Sequence, residues 1–251
     1  MRINDKKYFE QFSDSIGKEI DSLLSSYDFS DKNFDLGYQT EASAVYSSNI
    51  EGNSIDLNSF MNYKLFQVKR KPHKEIIEIE NLISAYEFAQ SNPLTEKNFL
   101  KCHKMLSKNI VIKSKQGKYR EEKVGVFGQS GLVYLAIEPE FVKEKMAEFF
   151  IDLDELLKKN LSNSEVFYFA SLLHLIFAHI HPYSDGNGRA ARLLEKWFVA
   201  EKLGMDFWKM QSEKYYKEHQ TEYYNNINLG VNYYELDYSR CMPFLMMLAV
   251  Q

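Results

Sequence analysis

Twelve consecutive residues concentrate most of the chemistry this chain could do: His181-Pro-Tyr-Ser-Asp-Gly-Asn-Gly-Arg-Ala-Ala-Arg192. Two glycines flanking Asn187 let the backbone turn sharply and aim several N–H groups at one point. If Gly186-Asn187-Gly188 also opens a helix, its unpaired amides and macrodipole favour an anion there. Arg189 and Arg192, three apart, fall on one side of that helix's first turns and can neutralise phosphate oxygens. Asp185 is ill-suited to a bare anion but suits Mg²⁺, which bridges a carboxylate and phosphates. His181, at the mouth of the loop, is placed to take a proton near neutral pH. A metal site built from His174, His179 and His181 is the rival reading. Positions 174 and 181 face the same way but stand two turns apart, roughly 10 Å on helix geometry. His179 points elsewhere, and no Cys or Glu completes a zinc set.

The run resembles the Fic-family signature His-x-Phe-x-(Asp/Glu)-Gly-Asn-Gly-Arg-x-x-Arg, with Tyr183 where the family usually has Phe. That aromatic is expected to anchor the loop in the core, and its hydroxyl needs a partner there. His174 also matches a residue often found seven before the family's catalytic histidine, with a structural role. The resemblance implies a protein adenylyltransferase with ATP as co-substrate. His181 would be the general base for a target Ser, Thr or Tyr hydroxyl, and Asp185 would bind Mg²⁺ on the α- and β-phosphates. Gly186, Asn187 and Gly188 would hold the phosphates. Arg189 and Arg192 would take the remaining charge, Arg192 at the γ-phosphate. In-line attack at the α-phosphate would release pyrophosphate, a reaction that asks mainly for positioning and charge stabilisation.

A second segment, Glu41-Ala-Ser-Ala-Val-Tyr-Ser-Ser-Asn-Ile-Glu-Gly-Asn53, resembles the family's inhibitory motif (Ser/Thr)-x-x-x-Glu-(Gly/Asn) through Ser47, Glu51 and Gly52. Spacing of i, i+4 puts Ser47 and Glu51 on one helix face, and Gly52 is a natural stop. The resemblance implies that Glu51 pairs with Arg192 and keeps ATP from binding productively. A carboxylate where the γ-phosphate must sit occupies its cation and repels its charge. Two short apolar runs around Gly128-Gln-Ser-Gly131 predict a β-hairpin over about 124–135. In position it corresponds to the family's flap, whose edge (here Val124, Gly125, Val126) would align the target segment by strand addition. Tyr224 and Ile227, sharing a helix face, resemble the adenine side of relatives.

The elements that must carry these residues read as all-α with one hairpin, a Fic-type helical bundle. Of 251 residues only 11 are Gly and 5 Pro, which favours long helices. The 17 Tyr and 18 Phe suit helix–helix interfaces. Apolar residues at helical spacing run from Ile76 to Ala89. Thr95 caps the next helix, and Pro139 opens another. Ser162 with Glu165 forms a capping box before a helix, Val166 to about Ile180, that is apolar on nearly all sides and should be the buried spine. The helix opened by the signature loop should end near Gly204, and further helices are expected over about 212–229 and 239–250. The stretch Lys69-Arg-Lys-Pro-His-Lys74 divides an N-terminal helical region, 1–70, from a core, 71–251.

A net charge of −4 argues against a nucleic-acid binder driven by phosphate neutralisation. The two cysteines, Cys102 and Cys241, form no disulfide framework. No signal sequence is evident, and the most apolar run, 166–180, is shorter than the ~18–20 residues a membrane span needs. A cytoplasmic protein is expected, with a protein target, self-modification and a homodimer all open. Two rival readings also stay open. One is removal of AMP or transfer of another phosphate-linked group; the other is a nucleotide-sensing module without turnover.

Overall fold

The computed structural model describes residues 1–26, 36–66, 73–128 and 131–250. The expected linker at Lys69 to Lys74 and the tip of the hairpin lie largely outside them. Helix α7 (Asn163–Ile180) is the spine, with every residue from Val166 to Phe177 buried. Its start is the expected capping box. The Ser162 hydroxyl accepts from the Glu165 N–H, and the Glu165 carboxylate accepts from the Ser162 N–H at 2.8 Å. Helix α8 (Asn187–Leu203) packs back along α7, and the chain between them turns within the signature loop. Gly204, at φ +112°, ends α8 as expected.

Around this pair stand α1 (Phe9–Ser26) against α7, α4 (Lys74–Gln90) against α5 (Glu96–Leu106), and α6 (Pro139–Lys158) against both α7 and α8. Thr95 caps α5 through the Asn98 N–H. Helix α2 (Leu36–Ile50) is enclosed on most sides from Thr40 onward: Thr40, Ala42, Ser43, Ala44, Val45, Ser47, Ser48 and Ile50 are all buried. It lies between α4, α8 and α9 (Ser212–Glu218) and leads into the short α3 (Leu57–Phe66). The segment carrying the Ser47–Glu51 motif is therefore part of the packed interior, not a peripheral arm.

Two expectations for the C-terminal region are corrected. The helix expected over 212–229 is broken at His219 into α9 and α10 (Gln220–Ile227). The His219 ring stacks on Tyr215 at 4.1 Å, and its Nδ1 donates to the Tyr215 carbonyl, which also accepts the His219 N–H, a local back-bond of the kind that bends helices. The helix expected over 239–250 is shorter, α11 (Met242–Met247), behind a 3₁₀ turn at Tyr238–Arg240.

The hairpin is present as β1 (Gly125–Gly128) antiparallel to β2 (Gly131–Leu135), with Val126 opposite Tyr134 and an irregularity between Val126 and Phe127. Its inner face is tied down, since the Tyr134 hydroxyl donates to the His179 carbonyl at 2.6 Å. Phe127 and Leu132 are exposed on it. Among the described residues the architecture is the expected all-α bundle with a single small hairpin. Cys102 and Cys241 are free, buried thiols. No helix of the described residues is long and apolar enough to cross a membrane.

Candidate active site

The signature loop is pinned from three directions. Gly186 takes the left-handed conformation, φ +81°, as the N-cap of α8, and a Cβ there would crowd Leu106 and His103. Asn187 grips the loop from inside. Its amide accepts from the Tyr183 N–H and donates to the Tyr183 carbonyl, both at 2.9 Å. Its side chain is thus committed to loop shape, leaving the backbone amides of the first turn to face a ligand. His103 supports the loop from behind. Its Nδ1 accepts from the Gly117 N–H, so Nε2 donates to the Asp185 carbonyl at 3.0 Å. Burial lowers its pKa to about 4, which keeps that tautomer in place.

Arg120 is the third support. Almost wholly buried, it donates to the carbonyls of His181 (2.7 Å), Ile137 (2.6 Å) and Glu122 (2.9 Å), and its own N–H donates to the Pro182 carbonyl. One guanidinium thereby ties the end of α7, the loop and the foot of the hairpin together. Sequence spacing does not mark His103 or Arg120, because each reaches the loop across more than 60 residues and bonds backbone atoms there.

Tyr183 fills the aromatic anchor position, stacked on His103 with ring centroids 3.5 Å apart. Its hydroxyl does not find the partner it needs: it is buried with none among the described residues. A buried unsatisfied hydroxyl costs about 1–3 kcal/mol. Tyr183→Phe is expected to raise stability by about 1 kcal/mol and leave the loop intact, read as a higher denaturation midpoint with unchanged m-value.

His181 closes α7 in the left-handed region, φ 52° and ψ 58°. Its Nδ1 lies 3.2 Å from the Ala178 carbonyl, where it donates, leaving the lone pair on Nε2. Burial pushes its pKa below the ordinary 6.5, against the bond to Ala178, and the Arg120 charge pushes the same way. The ring is therefore neutral at pH 7 and able to accept a proton.

Asp185 is half-exposed, its carboxylate 2.5 Å from the Gly186 N–H and 3.4 Å from Arg189 Nη2. Among the described residues no group of three or more His, Cys, Asp or Glu could cage a metal ion. His174, His179 and His181 each have a ring nitrogen bonded within the protein. A half-exposed carboxylate beside a helix N-terminus fits Mg²⁺, which takes few protein ligands where phosphates supply the others. Arg189 is buried, ion-paired to Asp185 and more distantly to Glu78, and its Nε has no partner among the described residues.

Arg192 is fully buried, and α2 supplies most of its partners. Its Nε donates to Ser47 Oγ and its Nη2 to the Ser47 carbonyl, both at 2.9 Å, and Nη2 also meets Glu51 Oε1 at 2.7 Å. The Glu51 side chain keeps 30% of its exposure. Burial pushes its pKa up, but the charges of Arg192 and Arg189 and the bond from Arg192 outweigh this and leave it below the ordinary value. The same carboxylate lies on Gly188, where an added Cβ would overlap Oε1. The Glu51 carboxylate thus lies against the first turn of α8, on Gly188 and the Arg192 guanidinium at once.

Behind Arg192 runs a buried polar chain. Arg192 Nη1 donates to the Tyr223 hydroxyl at 3.2 Å, which donates to His174 Nε2, whose other nitrogen meets Glu195 at 2.8 Å. His174 thus has the structural place expected of it. Tyr224, expected on the adenine side, is partly exposed and donates its hydroxyl to the Ile50 carbonyl, while its neighbour Tyr223 faces Arg192. Ile227 is half-buried, its carbonyl bonded by His179 Nε2. Val124 holds the foot of the hairpin, its carbonyl accepting from the Ala136 N–H, and Gly125 and Val126 begin β1.

Residues 93–199 match the model of the Fic/DOC family. A protein adenylyltransferase Fic from Nematostella vectensis is 29% identical over 161 residues, covering 60% of this chain. The match spans only 35% of that relative, about a third of its length. Among solved structures, a Fic family protein from Desulfovibrio desulfuricans G20 superposes with a TM-score of 0.76 at 23% identity, covering 97% of this chain and 71% of its own. A Fic domain containing signaling protein from Bacteroides thetaiotaomicron VPI-5482 does so with a TM-score of 0.67 at 20% identity, covering 97% and 91%. These share the helical fold over nearly the whole chain, and the signature loop falls within the matched residues. Over residues 93–199, which hold the signature loop, the chain matches the Fic/DOC family.

Proposed function

We propose that the protein transfers AMP from ATP to a hydroxyl of a target protein or of itself, and that Glu51 restrains it by competing for Arg192. The observation that carries this reading is the Glu51 carboxylate lying on Gly188 and 2.7 Å from Arg192, beside the neutral ring of His181. An anion already occupies the helix N-terminus where a nucleotide's phosphates would go.

In the reaction, His181 Nε2 takes the proton of the target hydroxyl as its oxygen attacks the α-phosphorus, and pyrophosphate leaves on the opposite side. The first amides of α8, from Gly186, Asn187 and Gly188, with Arg189 and Arg192, hold the phosphates before the bond breaks. Asp185 would hold Mg²⁺, whose charge offsets that of the α- and β-phosphates. The edge of β1 at Val124, Gly125 and Val126 lines up the target strand, and Tyr224 and Ile227 flank the adenine.

The test is intact-mass analysis of the Glu51→Gly variant, alone and with a cell extract, given Mg²⁺ and each nucleoside triphosphate in turn. An AMP-sized gain with ATP, absent after chelation of the metal and absent in Glu51→Gly/His181→Ala, is the expected result. ATP binding without any mass gain would instead favour a nucleotide-sensing module. A different added group would change the reaction named here.

A further inference from the structure

Glu51 hangs from the C-terminal end of α2, the wrong end of its own helix for a carboxylate. The last carbonyls there carry partial negative charge and repel it. Left to itself this turn would fray, and the carboxylate would leave Arg192. Three side chains from the α9–α10 segment oppose that. Lys217 Nζ donates to the Asn49 carbonyl at 3.1 Å, and Gln220 Nε2 and the Tyr224 hydroxyl both donate to the Ile50 carbonyl, at 2.8 and 2.9 Å. Lys217 also donates to Gln220 Oε1 at 2.7 Å, so the two brace each other. All three reach the adjacent carbonyls of Asn49 and Ile50, so they lie on one side of the segment. Lys217 adds a positive charge where the helix end and Glu51 are negative.

On its far side the same turn is fastened separately. The Asn49 side chain donates to the Asn53 and Ile55 carbonyls, and the Asn53 side chain donates to the Glu75 carbonyl. Glu51 is therefore held between two anchors. The α9–α10 anchor is the one that also reaches Arg192, through Tyr223.

We infer that Lys217, Gln220 and Tyr224 form a clamp on the C-terminus of α2 that sets how firmly Glu51 holds Arg192. They are positioning residues of the inhibitory carboxylate, outside the groups that touch the reacting atoms. The inference rests on the reading of Glu51 as a brake. Weakening the clamp at Lys217 and Gln220, which touch neither substrate nor Arg192, raises AMP transfer while Glu51 is present and does nothing once Glu51 is gone.

The test uses Lys217→Met/Gln220→Leu, in the otherwise unchanged chain and in Glu51→Gly, with label transfer from ATP as the readout. With Glu51 present, a rise of roughly tenfold is expected from the loss of these hydrogen bonds. In Glu51→Gly the same pair should change transfer by less than about twofold, since it acts only through the missing carboxylate. A gain of activity cannot come from misfolding, so folding defects do not mimic the result. If Glu51→Gly gains and the double variant does not, or if the double variant gains equally in both backgrounds, the clamp is overturned and the brake stands. If Glu51→Gly itself gains nothing, the brake reading fails, and the clamp is judged by hydrogen exchange. The amides of Glu51, Gly52 and Asn53, each bonded back into the α2 terminus, should exchange faster in the double variant. Unchanged exchange would overturn it.

Discussion

Replacing Glu51 with glycine is expected to raise AMP transfer from ATP roughly tenfold to a hundredfold. A hydrogen bond to a charged group is worth about 1.5–3 kcal/mol net, and 1.4 kcal/mol is a factor of ten. Glu51 makes such a bond to Arg192 at 2.7 Å and lies where a Cβ on Gly188 would be, so a phosphate must displace it in both places. Arg192 is not left loose by the change. Ser47 Oγ, the Ser47 carbonyl and the Tyr223 hydroxyl still hold the guanidinium. The fold should tolerate the substitution, because residue 51 lies just beyond the last residue of α2. Glu51→Gln separates charge from bulk: it keeps the shape and an acceptor for Arg192 but not the repulsion of phosphate, and should fall between the two. Initial rates at several ATP concentrations measure this. Equal rates for all three proteins would remove Glu51 from the account of activity.

The second large effect concerns the base. In a Glu51→Gly background, His181→Ala should lower transfer by about 10²–10⁴-fold, the usual contribution of a general base, with ATP binding little changed. The pH dependence should carry the mark of burial. The His181 pKa is held below the ordinary 6.5 by desolvation, so the base form dominates at and above that pH. The acid limb of kcat/KM should therefore fall below pH 6.5. Because the Glu51 charge opposes this lowering, its removal should move the limb further toward acid. An inflection above 6.5, or full activity in His181→Ala, would assign the proton to another group.

Much of this site could be read before the fold because its parts are close in sequence. The helix caps, the Gly-Asn-Gly turn and the Ser47–Glu51 spacing all act through neighbours at most four residues away, which local patterns record. The partner of Glu51 was reached only through a family resemblance, since nothing local in positions 47–52 points to Arg192. His103, Arg120 and the pair Lys217–Gln220 escaped notice for a related reason. Each is a single polar residue bonded mainly to backbone atoms distant in sequence, and carbonyl groups look alike in every sequence. Tyr223 and Tyr224 are adjacent and chemically identical, yet the turn of α10 sends one to Arg192 and the other to the Ile50 carbonyl. The break at His219 was hidden because the apolar periodicity runs on through it.

The way Arg192 is seated bears on how such a protein could be switched on by cutting. Two of its bonds go to Ser47, on the helix that leads directly into Glu51, and that helix is buried along most of its length. A protease or deletion that removed residues 1–56 would take the restraint and the arginine's seat together, and would open the core between α4, α8 and α9. Truncation is therefore not a shortcut to an active form. On the proposed reading of Glu51, the restraining carboxylate and the seat of the arginine it holds belong to one buried piece, and only a change about the size of one side chain would separate them.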